Sequence, residues 1–232
     1  MKRLFDIVAS AAGLLVLSPV LAVVLFLVWR QDRHSPLYLG QRAARGGGSF
    51  RMIKIRSMTV GADKTGVEST GAADNRITPL GHFIRRWKLD ETTQLWNVLV
   101  GEMSLVGPRP NTLREVEKYT AAERRLLSVR PGITDIASIV FSDEGDIIAD
   151  AADPDDAYDK LIRPWKSRLG ILYAENSSVL LDIRLIWLTI LAILDKPRAL
   201  AGVEKVLHRL GAEPELIAVA RRDRPLQPAS AP

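Results

Sequence analysis

Residues 7–29 run for 23 positions without a charge. As a straight helix this run is about 34 Å long, enough to cross the hydrocarbon core of a bilayer. A signal peptide fits it poorly, because the apolar stretch is too long and no small-x-small cleavage site precedes Arg30. Two features set it apart from an ordinary span. Ser18-Pro19 falls in the middle, and a mid-helix proline removes a backbone bond and clashes with the preceding turn, costing about 3 kcal/mol or more. Both flanks are basic as well: Lys2 and Arg3 before the run, and Arg30, Arg33, Arg42 and Arg45 after it. Basic flanks tend to stay cytoplasmic. If both do, the segment enters the membrane, bends at Ser18-Pro19 and leaves by the same face, with the Ser18 hydroxyl accepting the task of satisfying a freed carbonyl. A kinked helix that spans fully is the competing reading.

The full chain has 232 residues, enough for one compact domain plus an appendage. Its net charge is +5, and residues 1–60 hold nine Lys/Arg against two Asp/Glu, which points to an anionic partner. Nucleic acid, anionic lipid and a phosphorylated substrate all qualify, but no nucleic-acid-binding module is recognisable. Cysteine is absent, which excludes disulfides, thiolate metal sites and a cysteine nucleophile.

Residues 37–44 and 49–58 read as two strands joined across Gly46-Gly47-Gly48. In the second, Ile53 and Ile55 face one way and Lys54 and Arg56 the other. That pair of cations is either a solvated face or two charges projecting into a site. Residues 61–75 are small, polar and Gly-rich, which makes a loop, either a lid or a plain linker.

Residues 76–110 concentrate the chemistry. Thr78-Pro79 opens a helix to about Lys88, with Thr as N-cap and Pro at the first helical position. Arg85, Arg86 and Lys88 precede an adjacent carboxylate pair, Asp90-Glu91. A second helix is expected from Asp90 to Gly101, with Asp90 either as its N-cap or as a reactive carboxylate. Arg109 is confined between Pro108 and Pro110, so its guanidinium can be fixed in place. Carboxylates and fixed cations this close together suit a phosphate or a phosphate-bound metal.

Several blocks resemble a known family: Lys54-Ile55-Arg56-Ser57-Met58, Leu89-Asp90-Glu91, Gln94 to Leu99, Gly101 to Pro110, and Arg130-Pro131-Gly132-Ile133-Thr134. They are similar to the bacterial sugar transferases, the small monotopic phosphoglycosyl transferases, over roughly residues 1–195. Lys-Arg-Leu-Phe-Asp at the start and the Ser18-Pro19 break resemble that family's re-entrant membrane helix. The resemblance implies transfer of a sugar 1-phosphate from a UDP-sugar to polyprenyl (undecaprenyl) phosphate at the cytoplasmic face of the bacterial inner membrane, with release of UMP. It implies Asp90 as the nucleophile that carries the phosphosugar, and Glu91 as the ligand of Mg²⁺. It implies Arg109 as a phosphate contact, with Lys54, Arg56 and Arg86 lining the phosphate site. Such a reaction opens the assembly of a glycan (exopolysaccharide, O-antigen or glycoprotein glycan). The sequence departs from the family pattern at Thr93, where Pro is usual, and at Asp135, where Gly is usual.

Further on, residues 113–127 read as an amphipathic helix. Residues 141–159 carry eight acidic side chains and no Lys or Arg, in a spacing that matches no calcium loop, so a solvated acidic lobe is expected. A helix at 158–175 follows. Residues 185–194 are apolar but too short to span, and with Trp187 they favour an in-plane membrane helix over core. Residues 199–210 form a short helix, and 221–232 are expected to be disordered. His34, His82 and His208 sit in no ligand spacing.

The expectation is a mixed α/β, mainly helical chain. It comprises a re-entrant membrane helix (1–34) broken at Ser18 and Pro19, a compact membrane-surface catalytic domain (35–197), and a short C-terminal helix with a tail (198–232). Its partners are a UDP-sugar, polyprenyl phosphate and membrane lipid, no nucleic acid, with a homodimer as a further candidate. The alternative is a non-enzymatic membrane-surface protein whose basic N-terminal third binds lipid or a partner.

Overall fold

The computed structural model describes residues 1–62, 74–149 and 151–232, so most of the loop expected at 61–75 lies outside the described residues. The apolar run is one long helix, α1 (Lys2–Asp32), and among the described residues it is the helix long and apolar enough to cross a membrane. It continues through Pro19, so the expected break is not a break in helical structure. Pro19 has no N–H to offer Leu15 O, and the Ser18 hydroxyl donates to that carbonyl instead, at 2.7 Å.

One stripe of α1 is buried along its length. Asp6, Ser10, Leu21, Val24 and Val28 are buried, with Leu14 and Leu17 partly covered between them, a three-to-four-residue spacing that traces one helix face. The first turns dock through polar contacts. Arg3 donates to Val98 O and Leu99 O, and Asp6 Oδ1 accepts from the Ser104 hydroxyl and the Leu105 N–H, both at 3.1 Å. Lys2 pairs with the fully buried Asp182, whose other oxygen accepts from Tyr173 at 2.6 Å. The second half docks through apolar packing of Leu21, Val24 and Val28 on Ile55 and Ile84.

Two strands follow, β1 (Leu37–Ala43) and β2 (Ser49–Ile55), antiparallel with Leu37 opposite Ile55 and Ala43 opposite Ser49. Gly46 and Gly47 take φ of 80° and 89° in the turn, a region open to glycine at little cost. Next come α2 (Pro79–Arg86), α3 (Leu89–Thr92) and α4 (Gln94–Val100). Thr78 caps α2 as expected, accepting from Gly81 N at 2.9 Å. The single helix expected over 90–101 is instead two pieces that meet at Thr93, whose hydroxyl donates to Ile53 O at 3.1 Å.

The strand β3 (Ser104–Val106) pairs in parallel with β4 (Gly132–Thr134). Gly107 and Gly132 face each other so closely that a Cβ on Gly132 would lie 2.1 Å from Gly107 N. This contact holds the Pro108-Arg109-Pro110 turn.

The helix expected over 113–127 is broken into α5 (Leu113–Glu117) and a 3-10 segment (Glu123–Ser128). Glu123 opens the second piece and is buried. It accepts from Arg163 and from the Ser167 hydroxyl, both at 2.8 Å.

The main core gathers α6 (Ile136–Val140), α9 (Arg163–Asn176), α10 (Val179–Leu194), α11 (Lys196–Arg209) and α12 (Pro214–Arg221). Two short helices, α7 (Glu144–Ile147) and α8 (Pro154–Leu161), flank it. Helix α12 lies outside every expected helix. In place of the expected disordered tail, the residues after it form irregular but docked chain. Ala229 N donates to Lys160 O at 3.1 Å, and Arg168 donates to Ser230 O at 3.2 Å. Leu226 and Ala229 also pack on the core.

Asp182 joins α1 to this core. Asp182→Ala leaves the Lys2 ammonium and the Tyr173 hydroxyl without their acceptor, and we expect a loss of about 2–3 kcal/mol, measurable as a fall in the denaturation midpoint without change in m-value.

Candidate active site

Local geometry keeps Asp90 out of a helix-capping role. Lys88 adopts φ 54° and takes the N-cap position of α3 without a side-chain cap, so Asp90 falls inside the first turn and is not the N-cap. Its side chain is buried, and Oδ1 has no hydrogen-bond partner. A buried acceptor without a partner costs about 1–3 kcal/mol or more for a charged group. Burial, together with the charge of Glu91 beside it, pushes the Asp90 carboxyl above the usual carboxylate range.

Its neighbour has the opposite environment. Arg109 grips Glu91 with both nitrogens, Nη1 to Oε2 at 3.1 Å and Nη2 to Oε1 at 2.5 Å, and Lys54 Nζ stands 3.6 Å from Oε1. Burial works to raise the Glu91 carboxyl, but the charges of Arg109 and Lys54 outweigh it and hold Glu91 well below the usual range. Burial lowers Lys54, with Glu91 opposing. The charge of Glu91 pushes Arg109 up against the effect of burial. Two adjacent carboxylates thus titrate in opposite directions, the pattern expected when one is reactive and the other structural or metal-binding.

Three contacts assemble this group. Asn97 staples β2 to α4, accepting from Ile53 N at 3.0 Å and donating to Arg51 O at 2.8 Å, which sets Lys54 beside α3. Arg109 Nη1 reaches Ile133 O at 3.5 Å in the strand pair behind the proline turn. The positively charged side chains Lys54, Arg85 and Lys88 act on Asp90.

Of the six expected site residues, Asp90, Glu91, Lys54 and Arg109 come together. Arg56 does not. The strand ends at Ile55, and Arg56 turns back to α1, bound to both oxygens of Asp32 at 2.7 Å and to Ser35 O at 2.9 Å. Arg56 is therefore a strap on the end of α1. Arg86 is exposed, and its neighbours Arg85 and Lys88 are the bases whose charge reaches Asp90. Ser18 and Pro19 lie on the outer face of α1.

Asp135, noted in the sequence as a departure from the family pattern, has a local role, and Glu144 is a charged neighbour the sequence does not single out. Asp135 is buried as the N-cap of α6, accepting from Ser138 N at 2.7 Å and the Ser138 hydroxyl at 2.6 Å, with its charge and that of Glu144 acting on Arg109. Glu144 binds Lys166 at 2.7 Å. The expected solvated acidic lobe is thus partly an ion-paired wall, since Asp143 also pairs with Lys196 at 2.6 Å. The Asx-cap spacing Asp135-x-x-Ser138 was a usable local signal. The Glu144–Lys166 pairing, 22 positions apart, had none.

The raised Asp90 carboxyl makes a stability prediction. Between the unfolded and the higher folded pKa the folded chain binds more protons, so stability falls as pH rises through that window and stays lower above it. Asp90→Asn removes this charge. We expect a melting temperature about 2–4 °C higher at pH 8, corresponding to roughly 1 kcal/mol, with the gain shrinking as pH falls below the folded pKa.

The profile of the family described as bacterial sugar transferase matches residues 1–196. The galactosyl transferase CpsE of Streptococcus agalactiae serotype III (strain NEM316) is 35% identical over 204 residues, which is 83% of this chain and 42% of that protein. The undecaprenyl-phosphate glucose phosphotransferase of Komagataeibacter xylinus is 37% identical over 200 residues, 82% of this chain and 35% of that protein. The exopolysaccharide production protein ExoY of Sinorhizobium fredii (strain NBRC 101917 / NGR234) is 36% identical over 153 residues, 60% of this chain and 68% of that protein. The chain thus spans well under half the length of the first two relatives. With the match extending through α1, the whole dyad region and α10, the chain belongs to the bacterial sugar transferase family.

Proposed function

We propose that this chain moves a sugar 1-phosphate from a UDP-sugar to polyprenyl (undecaprenyl) phosphate, releasing UMP, by way of a phosphosugar carried on Asp90. The observation that carries this reading is the buried, unpartnered Asp90 Oδ1 beside a Glu91 already neutralised by two cations. An anionic nucleophile approaching an anionic phosphorus needs neighbouring positive charge. Lys54 and Arg109 are the cations within reach of the donor's phosphates, and Arg85 and Lys88 add to the field.

Asp90 Oδ1 attacks the phosphorus that bears the sugar. The bond from that phosphorus to the bridging oxygen breaks, and the oxygen leaves with UMP. An oxygen of polyprenyl phosphate then attacks the same phosphorus. The aspartyl P–O bond breaks, the carboxylate is regenerated, and a lipid diphosphate sugar is formed. Mg²⁺ is commonly held by one or two carboxylates plus substrate phosphate oxygens, and Glu91, ionised at neutral pH, would hold it while sharing its oxygens with Arg109. Held by Glu91 and the donor's diphosphate, Mg²⁺ would neutralise charge on the transferred and leaving groups.

The membrane arrangement we infer is monotopic. Association with the membrane follows from the apolar α1 and the family. Both ends of α1 hold the same domain, Lys2 and Arg3 at one end and Asp32 through Arg56 at the other, which favours re-entry over crossing. The outer face of α1 is apolar and exposed, with Leu15, Val16 and Val23, and so is that of α10, with Leu180, Trp187 and Leu194. These faces suit a lipid surface at the cytoplasmic side. The non-enzymatic alternative accounts for the basic N-terminal third but not for the orphaned carboxylate.

Asp90→Asn is expected to lower UMP release from a UDP-sugar in the presence of Mg²⁺ by at least about 1,000-fold, or 4 kcal/mol in transition-state free energy. Substantial remaining turnover removes Asp90 from the nucleophile role. Because Asp90 must be ionised, the acid limb of the kcat/KM profile should fall at a pH above that of an ordinary aspartate. For topology, a cysteine inserted after Met1 and a separate His34→Cys should both be blocked by a membrane-impermeant thiol reagent only from the cytoplasmic side of sealed vesicles. Opposite sidedness of the two would mean a spanning helix.

A further inference from the structure

The wall formed by α7, α8 and α9 presents charged groups that the proposed chemistry does not use. Glu144 Oε2 accepts from Lys166 Nζ at 2.7 Å, and that ammonium lies 5.2 Å from the centre of the Tyr158 ring. Lys166 is only 16% exposed whereas the Glu144 side chain is 42% exposed. One carboxylate oxygen is thus oriented by a held ammonium, and the other is left open to solvent. The charges of Glu144 and Lys166 act on Arg109, and that of Lys88 acts on Glu144.

The position of Glu144 is set from behind. Asp143 next to it pairs with Lys196 Nζ at 2.6 Å and with Arg222 Nη2 at 3.5 Å. Arg222 caps α12 at φ 56°, and its guanidinium lies 5.5 Å from the centre of the Phe141 ring. Arg222 belongs to the segment beyond residue 196, outside the family match, yet α11 and α12 are built into the main core. These outer residues thus brace the loop that carries Glu144.

We propose that Glu144 reads the hydroxyl groups of the donor's sugar, and that Arg222 is a positioning residue for it through Asp143. An open carboxylate oxygen accepts from sugar hydroxyls, and the adjacent ammonium can donate to a ring substituent. A carboxylate repels phosphate, so this wall suits the uncharged end of the donor, while Lys54 and Arg109 suit the charged end. Discrimination among sugars by hydrogen bonding is strong because a mismatched donor leaves a site group unpaired. This inference rests on the transferase reading.

The test uses the purified full chain in nanodiscs, with a panel of UDP-sugars that differ at C2, C4 and C6, and reads UMP release. Glu144→Gln is expected to lower kcat/KM for the preferred donor by at least about tenfold, mainly through KM, and to narrow the spread among donors. Inhibition by UMP, which has no sugar, should stay within about twofold of the unmodified chain. Glu144→Asp keeps the charge and moves the oxygens, so it should reorder the donors even if the Gln variant folds poorly. Arg222→Ala should reproduce the narrowing in weaker form, and Arg222→Lys should restore the original ranking. An equal loss for every donor, weakened UMP inhibition or an unchanged ranking overturns the proposal. No UMP from any donor with the unmodified chain instead overturns the transferase reading beneath it.

Discussion

The two-pronged grip of Arg109 on Glu91 is the contact from which the site follows. It joins α3 to the turn after β3, two segments that the fold reaches by separate routes. With Lys54 as a third partner, Glu91 has its charge matched. Asp90, one residue away, feels Lys54, Arg85 and Lys88 only through their field and stays buried with an unpaired oxygen. Pairing one member of an acidic pair with cations while burying the other without a direct partner drives the two carboxyls apart in acidity.

Rigid surroundings sustain this arrangement. Gly107 and Gly132 allow two backbones to meet at a distance no Cβ would permit, which fixes the proline turn. Asn97 fixes β2 against α4. The long helix α1 then binds the assembled domain along its whole length, polar at the start and apolar toward the end. Its buried stripe takes in Asp6 and Ser10, and the opposite face exposes Leu15, Val16 and Val23.

Legibility varied with how local each feature was. The dyad and Arg109 could be read directly, since their residues lie within one 35-residue stretch. The Thr78 cap and the hairpin at Gly46 and Gly47 were equally local. The roles of the bases were less so. Strand alternation makes Arg56 a partner of Lys54, but the strand stops one residue short of it and Asp32 claims its guanidinium. Arg86 and Arg85 differ by about 100° of helix rotation, and which of them turns toward Asp90 depends on the left-handed turn at Lys88, which a non-glycine residue rarely adopts. The helix expected at 113–127 is broken before Glu123, whose buried carboxylate binds Arg163 and Ser167 about forty positions away, partners that no local pattern shows.

By itself the sequence determined the apolar α1, the basic flanks and the chemical identity of the dyad, because periodicity, charge and neighbouring residues are properties of short stretches. The tertiary structure alone decided which cations reach which carboxylate, that both ends of α1 meet one domain, and that Lys196 and Arg222 both reach Asp143. Those outcomes depend on side chains distant in sequence converging at hydrogen-bonding distance, and no local pattern carries that information.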